Sequence, residues 1–155
     1  MLSKFKTAEK MIVGLNHEYL EKKYVDIKTA GDAFDTGYIT LSEIEQLYGE
    51  NKASALIESW ILQLVLFFTL PLDKNQIREL AYLLYDDNKI LNIAELSLFF
   101  TRVKKGYYGT FYGRFDPAEF TSWMRYYRKE RGKYVSTLPD TYESKILKEA
   151  RETFE

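Results

Sequence analysis

Cysteine is absent from the 155 residues. That excludes disulfides, thiolate catalysis and zinc sites built on cysteine, and it fits a reducing cytoplasm. Histidine occurs once, at His17, so serine–histidine and histidine–metal chemistry have almost nothing to build on, and His17 is expected on an exposed helix face. No hydrophobic run is long enough to span a bilayer, which needs about 20 residues. The longest, WILQLVLFFTLPL from Trp60 to Leu72, lies mid-chain and suits a buried central helix, and the N-terminal MLSKFKTAEK does not read as a signal peptide. A one-signed charge excess is missing too. The formal net charge is -1, so the molecule as a whole is not a general polyanion binder.

Hydrophobic residues at 46% and charged residues at 29% describe a folded globular chain, and the length suits one domain over residues 1–155. Helix starts are marked by capping boxes, a cap residue followed three positions later by Glu or Gln. Thr40 with Glu43, Asp73 with Gln76, Asn92 with Glu95, Asp116 with Glu119 and Asp140 with Glu143 fit this pattern, and Pro117 takes the favoured first helical position. Between the marks the apolar spacing is helical: Ile77, Leu80, Ala81 and Leu84; Ile93, Leu96, Phe99, Phe100 and Val103; Phe120, Trp123, Tyr127 and Tyr134. Residues 53–69 read as one long, mostly buried helix, and two weaker helices fall near 3–13 and 16–25. No alternating run predicts a strand, although Tyr38-Ile39-Thr40 and Lys89-Ile90-Leu91 can pair as a minimal two-strand β-bridge. The expected fold is all-α, a single compact domain of six or seven helices without internal repeat or linker.

Asp32 to Glu43 has the outline of a calcium loop, with Asp32, Gly37 and Glu43 at its first, sixth and twelfth positions. Phe34 stands where an oxygen ligand is needed, and Leu84 to Glu95 is poorer still, so neither segment supplies the 6–8 oxygens calcium takes. No metal and no cofactor is expected. There is no Walker loop and no His-Asp-Ser set, so enzyme activity and a small-molecule substrate are not expected either.

The segment KKGYYGTFYGRFDPAEF, Lys104 to Phe120, concentrates six aromatic residues, three glycines and three basic residues. From Arg102 to Tyr134 nine Lys or Arg stand against three Asp or Glu, a local charge of +6 inside a chain of -1. Phosphates are attracted to such a segment through counterion release, and exposed tyrosines can stack on unpaired bases. Lys104, Lys105, Arg114, Arg125, Arg128 and Lys129 are the candidate phosphate contacts, and Tyr107, Tyr108 and Tyr112 the candidate stacking rings. Glycines at 106, 109 and 113 permit positive φ and close backbone approach. The alternative is that the rings fold inward as a plug under a tight loop. Phe120 and Trp123 read as core. Gly106-Tyr-Tyr-Gly109 has the spacing of the KH-domain GXXG loop, but that motif needs mixed α/β surroundings.

Ala55-Leu-Ile-Glu-Ser-Trp60, Asn75-Gln-Ile-Arg-Glu-Leu-Ala81, Leu91-Asn-Ile-Ala-Glu-Leu-Ser-Leu-Phe-Phe100, Lys105-Gly-Tyr-Tyr-Gly-Thr-Phe-Tyr-Gly113 and Tyr127-Arg-Lys-Glu-Arg131 together resemble a family of small proteins. It is encoded by Bacteroidetes bacteria, their phages and mobile elements. The resemblance covers roughly residues 53–131 and leaves the N-terminal 50 residues as variable helices. It implies a fold unit and a mobile-element setting but no reaction. The function expected on these grounds is a cytoplasmic, non-enzymatic accessory protein that binds nucleic acid, for example in helicase loading or origin organisation during DNA replication. The alternative is an adaptor or inhibitor that docks a host or replisome protein.

Overall fold

The computed structural model describes residues 5–111 and 114–139. Among them are eight helices: α1 (Ala8–Gly14), α2 (His17–Lys23), α3 (Ala30–Asp35), α4 (Leu41–Tyr48), α5 (Glu50–Phe68), α6 (Lys74–Asp87), α7 (Ile93–Lys104) and α8 (Pro117–Ser136). The fold is all-α, as the periodicity predicts. The element beyond the expected six or seven is α3. Its start is a full capping box of Thr29 and Asp32, with Asp in place of the usual Glu or Gln. Asp32, the first position of the calcium-like segment, is thereby spent on the backbone amides of Lys28 and Thr29.

The predicted boxes at Asp73/Gln76 and Asn92/Glu95 close in both directions. Thr40 and Asp116 cap their helices from the side chain alone, Asp116 through the Ala118 amide rather than that of Glu119. The fifth box, at Asp140, lies outside the described residues. One isolated antiparallel bridge does form, between Thr40 of the first predicted segment and Asn92, one residue past the second. Leu41 N donates to Leu91 O at 3.0 Å and Ile93 N to Ile39 O at 2.8 Å. This ties the start of α4 to the start of α7.

α7 is the centre of the molecule. Ten of its residues from Ile93 to Val103 are buried, on all sides and not along one stripe, so α2, α3 and α5 pack against it, and α8 reaches it through side chains such as Phe120 and Tyr127. Its Phe99 and Phe100 meet Phe120 of α8 and, through Phe100, Trp60 of α5. α5 buries Ala53, Leu56, Ile57, Trp60, Ile61 and Leu64, and the Trp60 indole donates to Leu15 O at 2.9 Å. It is not buried all round, however. Leu62, Leu66 and Phe67 face outward, because α5 is covered on its inner side only.

His17 corrects an expectation. It is fully buried, not exposed. Its Nε2 lies 3.1 Å from Ser97 O and 3.3 Å from Thr101 Oγ1, and its ring sits between Trp60 and Phe100. The Asn16 cap starts α2 so that His17 and Leu20 both point inward, and the flat ring fills the gap beside two aromatic side chains. Burial, with Lys104 nearby, lowers the imidazole pKa to about 4, so it is neutral at pH 7.

Candidate nucleic-acid interface

The basic segment divides into cations turned inward and cations left in water. Arg102, near the end of α7, is buried. Its Nη1 donates to Glu130 Oε1 at 2.9 Å and its Nη2 to Glu130 Oε2 at 3.1 Å, with further bonds to Tyr108 Oη and Lys28 O. Burial by itself lowers the pKa of such a guanidinium. The hydrogen bonds to Glu130 and Tyr108 outweigh it and hold the charge firmly. Burial likewise favours the neutral form of Glu130, but Arg102 and the Ala30 amide keep its pKa below the ordinary carboxylate value.

A second, reversed pair lies beside the first. The Glu95 carboxylate is buried at the first turn of α7, where Oε2 accepts from Arg131 Nε at 2.7 Å and from Tyr127 Oη at 3.3 Å. Burial raises the Glu95 pKa, and Arg131 and the Asn92 amide oppose that rise. Adjacent residues of α8, Glu130 and Arg131, thus pair with two residues of α7 of opposite sign. Lys104 is held by Glu21 at 3.1 Å and lies over the Phe67 ring. Arg128 donates to Asn88 Oδ1 at 2.7 Å, at the end of α6.

The remaining cations are Lys105, Arg114, Arg125, Lys129 and Lys133, all exposed. Among the described residues none of these five pairs with a carboxylate. Arg125, Lys129 and Lys133 recur at every fourth position of α8, so they form one ridge on its solvent side, while Phe120, Trp123, Met124 and Tyr127 fill the opposite side. The ridge rises about 12 Å from first to last cation. Tyr126, also exposed, stands next to it.

The aromatic loop is mostly plug. Tyr108, Phe111 and Phe115 pack against the core, Tyr108 and Phe111 both on Trp123. Glycine is required where this happens. Gly109 has φ 146°, and a Cβ there would sit 3.2 Å from the Trp123 ring. Gly106 at φ 73° turns the chain as it leaves α7. Tyr107 alone among the described candidate rings is well exposed, at 61%, and its inner face covers the Arg102 guanidinium at 4.4 Å. Tyr112 and Gly113 lie outside the described residues.

Of the predicted site residues, then, Lys105, Tyr107, Arg114, Arg125 and Lys129 reach solvent. Arg128 is half-buried and tied to α6, and Lys104 and Tyr108 serve the interior. Lys133 and Tyr126 belong to the exposed face but are not among the predicted contacts. The four-residue spacing from Arg125 to Lys133 is the signal that marks Lys133.

A family described as being of unknown function, DUF6633, matches residues 70–150, just over half of the chain. The chain belongs to that family. The matched span holds α6, α7, the aromatic loop and α8, and so contains both members of each crossed ion pair and all five solvent-facing cations. No curated protein and no solved structure matches the chain. No described helix is long and apolar enough to cross a membrane.

Proposed function

We propose that this chain is a non-enzymatic accessory protein that binds nucleic acid through the solvent face of α8 and the loop before it. The observation that carries this reading is the ridge of Arg125, Lys129 and Lys133, with Lys105 and Arg114 also in water and no carboxylate paired to any of them among the described residues. Protein ion pairs would cancel such charge. Left free, it neutralises phosphates and releases their counterions. A ridge of about 12 Å is comparable to the width of a duplex major groove, so phosphates flanking the groove are within its reach. Duplex contact is favoured over single-strand stacking, because Tyr108, Phe111 and Phe115 face the core and leave Tyr107 and Tyr126 as the rings available to bases. The family resemblance implies a mobile-element setting, and within it a step of DNA replication such as helicase loading or origin organisation is the role that duplex binding would serve.

The test is fluorescence anisotropy with labelled duplex and single-stranded DNA at low and moderate salt. Duplex binding that weakens steeply with salt is expected. Absence of binding to either form at low salt overturns the reading, and the same ridge, with Tyr107 and Tyr126, is then a docking face for an acidic protein.

A further inference from the structure

The outer side of the α5/α6 pair carries an apolar surface that the nucleic-acid reading does not use. Positions 51, 55, 58, 62 and 66 fall on one strip of α5, about 22 Å long. On that strip Leu62 is 46% and Leu66 is 72% exposed. α6 runs beside it and presents Tyr82 and Leu83, both also exposed. Between the two helices lies an open groove of about 610 Å³, in which Ala55, Tyr82 and Leu83 are the apolar walls among polar and charged neighbours of both helices. Asn51 and Glu58 interrupt the strip, and its apolar members are Ala55, Leu62 and Leu66. Exposed apolar side chains gathered on one face in this way mark interaction sites.

The lips of the groove are acidic. Glu58 of α5 and Glu79 of α6 line it, and Glu50 and Asp86 stand close to Tyr82 at its end. Arg78 lines the groove as well, but its Nε sits 3.9 Å from Glu58 and is partly offset by it. The negative field is felt by the Tyr82 hydroxyl, whose pKa is raised chiefly by Glu50 and then Asp86, with Lys89 opposing them only in part. The strip's length, straightness and spacing suit the i, i+3, i+4, i+7 anchors of a bound helix of about four turns. Its charge suits a helix whose flanks are cationic.

We propose that the α5/α6 groove docks an amphipathic helix of a partner protein, with large aliphatic side chains on one face and Lys or Arg along its flanks. The aliphatic side chains fill the space over Ala55 and continue along Leu62 and Leu66. The cations lie against Glu50, Glu58, Glu79 and Asp86. This surface is separate from the α8 ridge, so a single copy can hold nucleic acid and a protein together.

The test uses the whole chain and a synthetic 18-residue peptide with leucine at helical three- and four-residue spacing and lysine elsewhere. Nitrogen-15 NMR titration should move amide signals along 51–66 and 78–86. The same peptide with glutamate for lysine should bind at least tenfold more weakly, as should the protein carrying Glu79→Lys with Asp86→Lys. Ala55→Arg, which fills the groove, should abolish binding. If that variant does not fold, the two lip substitutions, both at exposed positions, still decide the matter. Equal affinity for both peptides, unchanged affinity in the lip variant, or signals moving elsewhere overturns the proposal. So does a concentration-dependent dimer in sedimentation velocity that perturbs the same strip, since the occupant is then a second copy.

Discussion

Arg102 and Glu130 meet fork to fork, two parallel bonds of 2.9 and 3.1 Å joining the end of α7 to the second half of α8. Glu130 also accepts from Ala30 N at 2.9 Å, and Arg102 donates to Lys28 O, so the pair clamps the start of α3 as well. Three helices therefore close on one bidentate contact. Bidentate geometry reinforced by further hydrogen bonds is the condition under which such a pair, with Arg102 buried and Glu130 half-buried, holds structure together.

Removing one partner leaves the other charge in a site built for two. Arg102→Ala should lower unfolding free energy by about 2 kcal/mol, read from urea denaturation, the partly hydrated Glu130 holding the loss below that of a fully buried pair. Exchanging the partners, Arg102→Glu with Glu130→Arg, should restore little of this. The swapped guanidinium would face the Ala30 amide and the swapped carboxylate the Lys28 carbonyl. Full recovery in the swap would mean that the charges alone matter and the clamp on α3 does not.

Asn92 is the second junction. Its Oδ1 caps Glu95 N at 2.8 Å, its Nδ2 donates to Ala33 O at 3.1 Å, and its backbone forms the bridge with Thr40. Asn92→Ala should cost about 3 kcal/mol, the lost cap plus two buried groups left without partners. Asn92→Ser keeps a capping oxygen and loses the bond to Ala33, and should cost about half as much. Equal losses in the two variants would show that the cap contributes nothing.

The helices were legible because their starts carry short polar caps and their inner faces repeat at helical spacing. Asp73/Gln76 and Asn92/Glu95 are examples in which sequence and geometry agree at the level of single hydrogen bonds. α3 was hidden because it is only six residues long and its box closes with Asp32. Charge was harder to place. Nine cations in one segment look alike in the sequence, but four of them meet partners distant in the chain: Glu130, Glu21, Asn88 and Glu95. Only the crossing of α7 and α8, with the seating of α2 and α6, decides which side chains turn inward. His17 was misplaced for a related reason, since nothing near it in sequence announces Trp60, Ser97 or Phe100.

The buried imidazole makes stability depend on pH. In the unfolded chain His17 gains its proton near pH 6.5, but in the folded protein only near 4. Between those values the unfolded state binds more protons, so stability falls as pH drops from 6.5 toward 4. The full loss approaches about 3 kcal/mol for one such group. Glu130, whose pKa is lowered on folding, adds a further loss as pH falls below its ordinary value of 4.5. Denaturation curves at pH 7.5, 5.5 and 4.5 should show the first decline, and His17→Leu should flatten it above pH 4.5. An equally steep decline in that variant would assign the effect to other groups.

Binding and stability should separate along the same basic segment. Arg125 and Lys129 face water and support no described neighbour, so Arg125→Ala and Lys129→Ala should leave the unfolding midpoint unchanged. Each should lower duplex affinity and reduce the slope of log affinity against log salt by about 1. Lys104 is a cation of the same segment, but it is held inside by Glu21 and the Phe67 ring. Lys104→Ala should therefore lower stability by about 1 kcal/mol and leave the salt slope as it was. The comparison is informative because the substitutions remove the same charge from the same segment and differ only in where the fold has put it. A salt slope that falls equally in all three variants would mean that net charge, not the α8 ridge, governs binding.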